Sequence, residues 1–122
     1  MIQKGKGMQE KESEIVNWIR ELEERREKLD LEIDELDQET ARIEWRISQL
    51  GEFKRKMEEG VIQIAHPEVI AEKTELEIKK LAQLKGGRRE HKGEVTVDRE
   101  FCKSLAGYLR SKLEPTQEKP SP

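Results

Sequence analysis

Apolar side chains recur every seven residues, without a skip, at Ile15, Leu22, Leu29, Leu36, Ile43, Leu50 and Met57. Four residues after alternate members of this ladder come Ile19, Ile33 and Ile47, and the same register carries Arg26, Thr40 and Lys54. The first set reads as heptad position d and the second as position a, a spacing that lays one narrow apolar seam along a helix. A solitary helix would leave that seam in water, at about 25 cal/mol per Å² of apolar surface. The ladder therefore demands a long helix and something for it to pack against.

The seam predicts an all-α chain in which residues 13–59 form a coiled-coil helix, pairing as a parallel dimer. Isoleucine at a with leucine at d favours two parallel strands. Charged a residues fit the same arrangement, because Arg26 and Lys54 can lay their stems along the seam and raise their charged ends to water. The flanks fit less well. The e positions Glu23, Asp30, Asp37, Glu44 and Glu58 are acidic. In a parallel homodimer Glu32 would face Asp37, and Glu39 would face Glu44. Exposed charge pairs are worth only about 0–1 kcal/mol each, so the seam outweighs them. The mismatch leaves open a partner with basic flanks, and hence whether the oligomer joins like or unlike chains.

A basic stretch lies further along the same chain. Lys79, Lys80, Lys85, Arg88, Arg89 and Lys92 are six positive charges against one acid, Glu90, while residues 21–39 carry ten acids and three bases. A flexible link at Gly60 would let the segment after it fold back antiparallel along the first helix and bring the two together. Leu31 and Trp45 fall at heptad f, the outer face, where a two-stranded coil needs polar residues. They are candidate partner-binding residues.

Punctuation divides the rest of the chain. Residues 1–12 read as a flexible N-terminus, and 60–66 as a connector ending in His66-Pro67. Proline suits the first turn of a helix and biases its predecessor towards an extended conformation. A second helix is expected over 67–85, with Ile70, Thr74, Ile78, Leu81 and Leu84 on one face and Gly86-Gly87 as its stop. Residues 86–95 read as a basic loop. A third amphipathic helix over 96–114, capped by Thr96 or Asp98, carries Phe101, Leu105, Tyr108 and Leu109 as further candidate partner-binding residues. Residues 115–122 read as a disordered tail, rich in proline, serine and charge.

Composition agrees with seams rather than a thick core. Of the 122 residues, 33% are hydrophobic and 42% charged, with a mean hydropathy of −0.96. Long helices tolerate such polarity because each buries only a stripe. The net charge of −3 argues against a general nucleic-acid binder, whose domain is normally strongly basic. Cys102 is the only cysteine, so no intrachain disulfide can form and a reducing compartment is expected. The N-terminal residues lack the apolar core of a signal peptide. No run approaches the roughly 18 apolar residues of a membrane span. The expectation is a soluble intracellular protein, cytoplasmic or nuclear, with no membrane partner.

Chemistry is hard to place on this chain. His66 and His91 are the only histidines, and neither has a second ligand at metal spacing. Cys102 sits beside an apolar stripe, which suits packing better than nucleophilic attack. Gly86-Gly87-Arg88-Arg89 lacks the lysine-serine/threonine pattern and preceding strand of a phosphate loop. No catalytic residue, metal, cofactor or small-molecule substrate is expected. The reading is a non-enzymatic oligomerisation or adaptor protein that dimerises through its N-terminal half and presents C-terminal helices to a partner. Two alternatives stand beside it: a dimeric nucleic-acid-associated regulator using residues 79–92 on phosphates, and a helical inhibitor that inserts a helix into an enzyme's groove.

Overall fold

The structure, a computed structural model, describes residues 2–113, with side chains from Glu10 onward. The tail 115–122 lies outside the described residues. Two α-helices account for nearly all of the description: α1 (Ile2–Glu58) and α2 (Pro67–Leu113). The all-α expectation holds, with no strand among the described residues.

The helix boundaries follow from local chemistry. Gly60 ends α1 at a φ of 76°, in the left-handed region that glycine enters without a Cβ clash. Gly60 N–H donates to Met57 O at 3.2 Å, and Val61 N–H reaches back to Lys56 O at 2.9 Å. This crossed pair of bonds is the Schellman arrangement, which satisfies carbonyls that the helix end would otherwise leave unpaired. Arg55 and Lys56 occupy the last turn of α1, where positive charge complements the helix dipole. Pro67 opens α2, and Ile70 N–H closes its first turn on His66 O at 3.1 Å. His66 differs from the extended conformation expected before proline. Its φ is 55°, a region in which histidine is among the better tolerated non-glycine residues.

Two expectations about helix extent are corrected. Helix α1 begins at Ile2 rather than near residue 13. The supposed second helix, basic loop and third helix are one continuous helix, α2. Gly86 and Gly87 do not stop it, and Thr96 and Asp98 lie in its interior rather than at a cap. The physical reason is visible in burial. Thr74, Ile78, Leu81, Lys85, Arg88, Lys92, Val95, Arg99, Cys102, Ala106, Leu109 and Leu113 are all buried or half-buried. They succeed one another at alternating spacings of three and four, so a heptad seam passes straight through the glycines. The seam is hard to read in the sequence because its middle is lysine and arginine. Packing on that face overrides a glycine penalty of about 1 kcal/mol per residue.

By packing, the chain divides into two units. Unit 1 comprises Met1–Glu32 and Val95–Pro122, and unit 2 comprises Ile33–Glu94. In unit 1 the segments of α1 and α2 run antiparallel around a core of Ile19, Leu22, Cys102, Ala106 and Leu109. Ile15, Leu29, Leu105 and Leu113 pack against it. Cys102 is fully buried and Ala106 lies one turn on, so small side chains on α2 face large ones on α1. In unit 2 the two segments also run antiparallel, joined by the 59–66 turn, as a fold-back at Gly60 would require. Ile33, Leu36, Ile43, Met57 and Thr74 are its buried residues. Thr74 is accommodated there because its hydroxyl donates to Ile70 O at 2.7 Å, and Thr40 does the same to Leu36 O at 2.8 Å.

Candidate interaction surfaces

All thirteen expected seam residues of α1, from Ile15 to Met57, are buried or half-buried. In each unit the covering element is the chain's own α2. Arg26, Thr40 and Lys54, the polar a residues, are half-buried. Lys54 finds its counter-charge inside unit 2, with Nζ 2.6 Å from Glu75 Oε1 and 3.7 Å from Glu58 Oε1. The hydrogen bond to Glu75 raises the Lys54 pKa above the ordinary lysine value, and the same bond lowers that of Glu75.

The basic segment is largely occupied within unit 2. Lys85 and Arg89 approach Glu44 at 3.6 and 3.2 Å, Arg88 lies 2.9 Å from Glu39, and Lys92 lies 2.6 Å from Asp37. Lys80 sits 4.0 Å from Glu77 on its own helix, and Lys79 lies near Glu75. The e-position acids that would repel one another in a parallel homodimer are thus neutralised by α2. Of the six cations that the nucleic-acid alternative would set on phosphate, four face carboxylates of α1. Unit 1 uses the same device, with Arg99 3.3 Å from Asp30 and Arg110 paired with Glu23.

The candidate partner-binding residues divide. Leu31 and Trp45 are each 64% exposed, Phe101 is 55% and Tyr108 57%. Leu109 is corrected: it belongs to the core of unit 1. Leu105 is half-buried against that core. The helix phase explains the split, since 102, 106 and 109 face α1 while 101 and 108 point away. Val97 carries no mark in the sequence pattern. It is 68% exposed and stands one turn before Phe101, so Val97, Phe101 and Tyr108 form an outward stripe on α2 of unit 1. A Lys112 ammonium lies 5.5 Å from the Tyr108 ring centre, a cation–π contact at the end of the stripe.

Unit 2 presents its own outward features. Trp45 borders a shallow concavity of about 400 Å³ lined by Ala41, Arg42, Trp45 and Arg46. On α2 of the same unit, Val69 and Leu76 flank another with Glu72, Lys73, Glu77 and Lys80. Leu84, expected on the inner face, is 45% exposed.

Among the described residues no cluster of three or more histidine, cysteine or carboxylate ligands could hold a metal. No described helix is long and apolar enough to cross a membrane. No protein-family model, characterised protein or solved structure matches the chain.

Proposed function

We propose that this chain is a non-enzymatic helical adaptor that binds other proteins through the outward faces of its helices. The observation that carries the reading is the exposed Val97–Phe101–Tyr108 stripe of unit 1. It is apolar and partly aromatic although the opposite face of the same helix already fills the core. Aromatic residues dominate the energetics of many protein interfaces, and a helix that is apolar on two faces has a use for the second. Trp45, beside Arg42 and Arg46, provides the corresponding composition in unit 2.

The test is partner capture with the full chain against Phe101→Ala/Tyr108→Ala. Both residues lie outside the core, so the variant keeps its helix content. Loss of specific partners with retained circular dichroism supports the reading. An unchanged partner profile removes it.

The heptad ladder supports a second form of the proposal, a parallel homodimer through the α1 seam. It requires α2 to leave the seam and the acidic e positions to give up their lysines and arginines. Such a dimer would persist when the outward residues are changed and would fail in Leu29→Lys/Leu36→Lys.

A further inference from the structure

We propose that the outer face of α1 in unit 2 binds a second copy of this chain, antiparallel and centred on Trp45. This rests on the proposal that the outward apolar residues are binding surfaces, and names the partner of one of them.

The face is built around heptad f, with positions b and c on its two flanks. Trp45, at f, is 64% exposed. Ala41 and Ser48 at b, and Arg42 and Gln49 at c, are exposed beside it. Ala41 is small, and it shares a shallow concavity of about 400 Å³ with Arg42, Trp45 and Arg46.

The charges on this face are arranged about Trp45. Glu35 and Asp34 lie ten and eleven residues before it, and Arg55 and Lys56 lie ten and eleven after it. Asp34 and Arg55 share flank b; Glu35 and Lys56 share flank c. At a rise of about 1.5 Å per residue, each pair stands about 15 Å from the tryptophan.

Two antiparallel helices related by a two-fold axis bring like flank against like flank. With the axis at Trp45, Asp34 of one copy meets Arg55 of the other, and Glu35 meets Lys56. Both contacts occur twice. Each indole enters the other copy's concavity and lies against Arg42, whose guanidinium gains a cation–π contact. Gln38 at f meets Glu52, an amide against a carboxylate. A parallel arrangement about the same face brings flank b against flank c, setting Asp34 against Glu35 and Arg55 against Lys56, so the charges select the antiparallel one.

The groups needed are available. Among the described residues no base pairs with Asp34, Glu35 or any acid with Arg42. Within their own helix Arg55 holds an exposed pair with Glu59 at 3.3 Å, and Lys56 a half-buried one with Glu52 at 3.1 Å. Such pairs exchange partners at little cost.

Sedimentation of the full chain from about 10 µM to about 1 mM tests the proposal, since an interface of a few helical turns falls in the weaker part of the affinity range. The expected result is a species of twice the 14.3 kDa chain mass. Trp45→Ala should weaken it at least about tenfold. Asp34→Lys/Glu35→Lys should weaken it comparably, and adding Arg55→Glu/Lys56→Glu to that variant should restore it. Circular dichroism checks that each variant remains helical. A chain that is monomeric throughout overturns the proposal but leaves partner capture through Phe101 and Tyr108 untouched. A dimer that survives Trp45→Ala overturns it by placing self-association elsewhere. A dimer that needs Trp45 but ignores the charge reversals overturns the antiparallel register.

Discussion

Lys54 occupies a seam position of α1, yet its ammonium donates to Glu75 Oε1 on α2 at 2.6 Å. The contact converts what looks like an interruption of the apolar ladder into a cross-helix tie in unit 2. Its hydrogen bond holds the Lys54 pKa above the ordinary lysine value and the Glu75 pKa below the ordinary carboxylate value.

The signs give a pH prediction. The Glu75 contribution is present above the unfolded carboxylate pKa and is lost as pH falls through the lowered folded one. The Lys54 contribution is present below the unfolded lysine pKa and is lost as pH rises through the raised folded one. Melting temperature measured across pH should therefore fall less steeply at both extremes in Lys54→Met than in the parent. Superimposable pH profiles would contradict the tie.

Glu44 serves two cations, Lys85 and Arg89. Glu44→Lys should destabilise the chain by about 1 kcal/mol at low salt, the combined scale of two exposed pairs. The deficit should shrink in about 1 M salt, where the screening length is about 3 Å. Reversing Lys85 and Arg89 to glutamate in the same chain should recover stability. If urea unfolding shows no such recovery, the ion pairs do not couple the helices.

Glycine substitutions distinguish a continuous α2 from a broken one. A methyl group at Gly86 or Gly87 meets nothing within 4 Å, so each change to alanine should stabilise by about 1 kcal/mol and raise the melting temperature by a few degrees. Gly60→Ala should do the reverse, by about 1–2 kcal/mol, because its φ of 76° is strained for any residue with a Cβ. Destabilisation by alanine at 86 and 87 would mean that these glycines serve a turn.

Cys102 has no exposed surface, so a thiol reagent reaches it only when unit 1 opens. Labelling should be slow in the native protein. Leu22→Ala, in the same core, should cost about 3 kcal/mol and accelerate labelling by about a hundredfold. Fast labelling of the unmodified chain would be incompatible with that core.

Much of the helical architecture was legible along the chain. The Ile15–Met57 ladder identified the inner face of α1 residue by residue, because large apolar side chains at heptad spacing have few other uses. Gly60 and Pro67 marked the turn for reasons of backbone chemistry alone. The continuity of α2 was not legible, since its seam passes through Lys85, Arg88, Lys92 and Arg99. Their burial depends on acids brought alongside by folding, and two adjacent glycines are ordinarily a stop signal. The candidate surfaces were half legible. Leu31 and Trp45 stand out against the inner face of α1, whereas the phase of α2 that puts Leu109 in the core is set by its neighbour and is not carried by its own sequence.

The spacing of residues is enough to make the chain helical, to give α1 one apolar stripe, and to require a cover for it. Folding places the chain's own α2 against it. An apolar seam is non-directional and accepts any complementary stripe, so its spacing carries no information on whether the partner is another chain. The choice fell to the turn at Gly60 and to the bases of α2, which stand opposite Asp37, Glu39 and Glu44 in unit 2 and opposite Glu23 and Asp30 in unit 1. Those pairings join residues far apart in sequence, and only folding brings them within reach of one another.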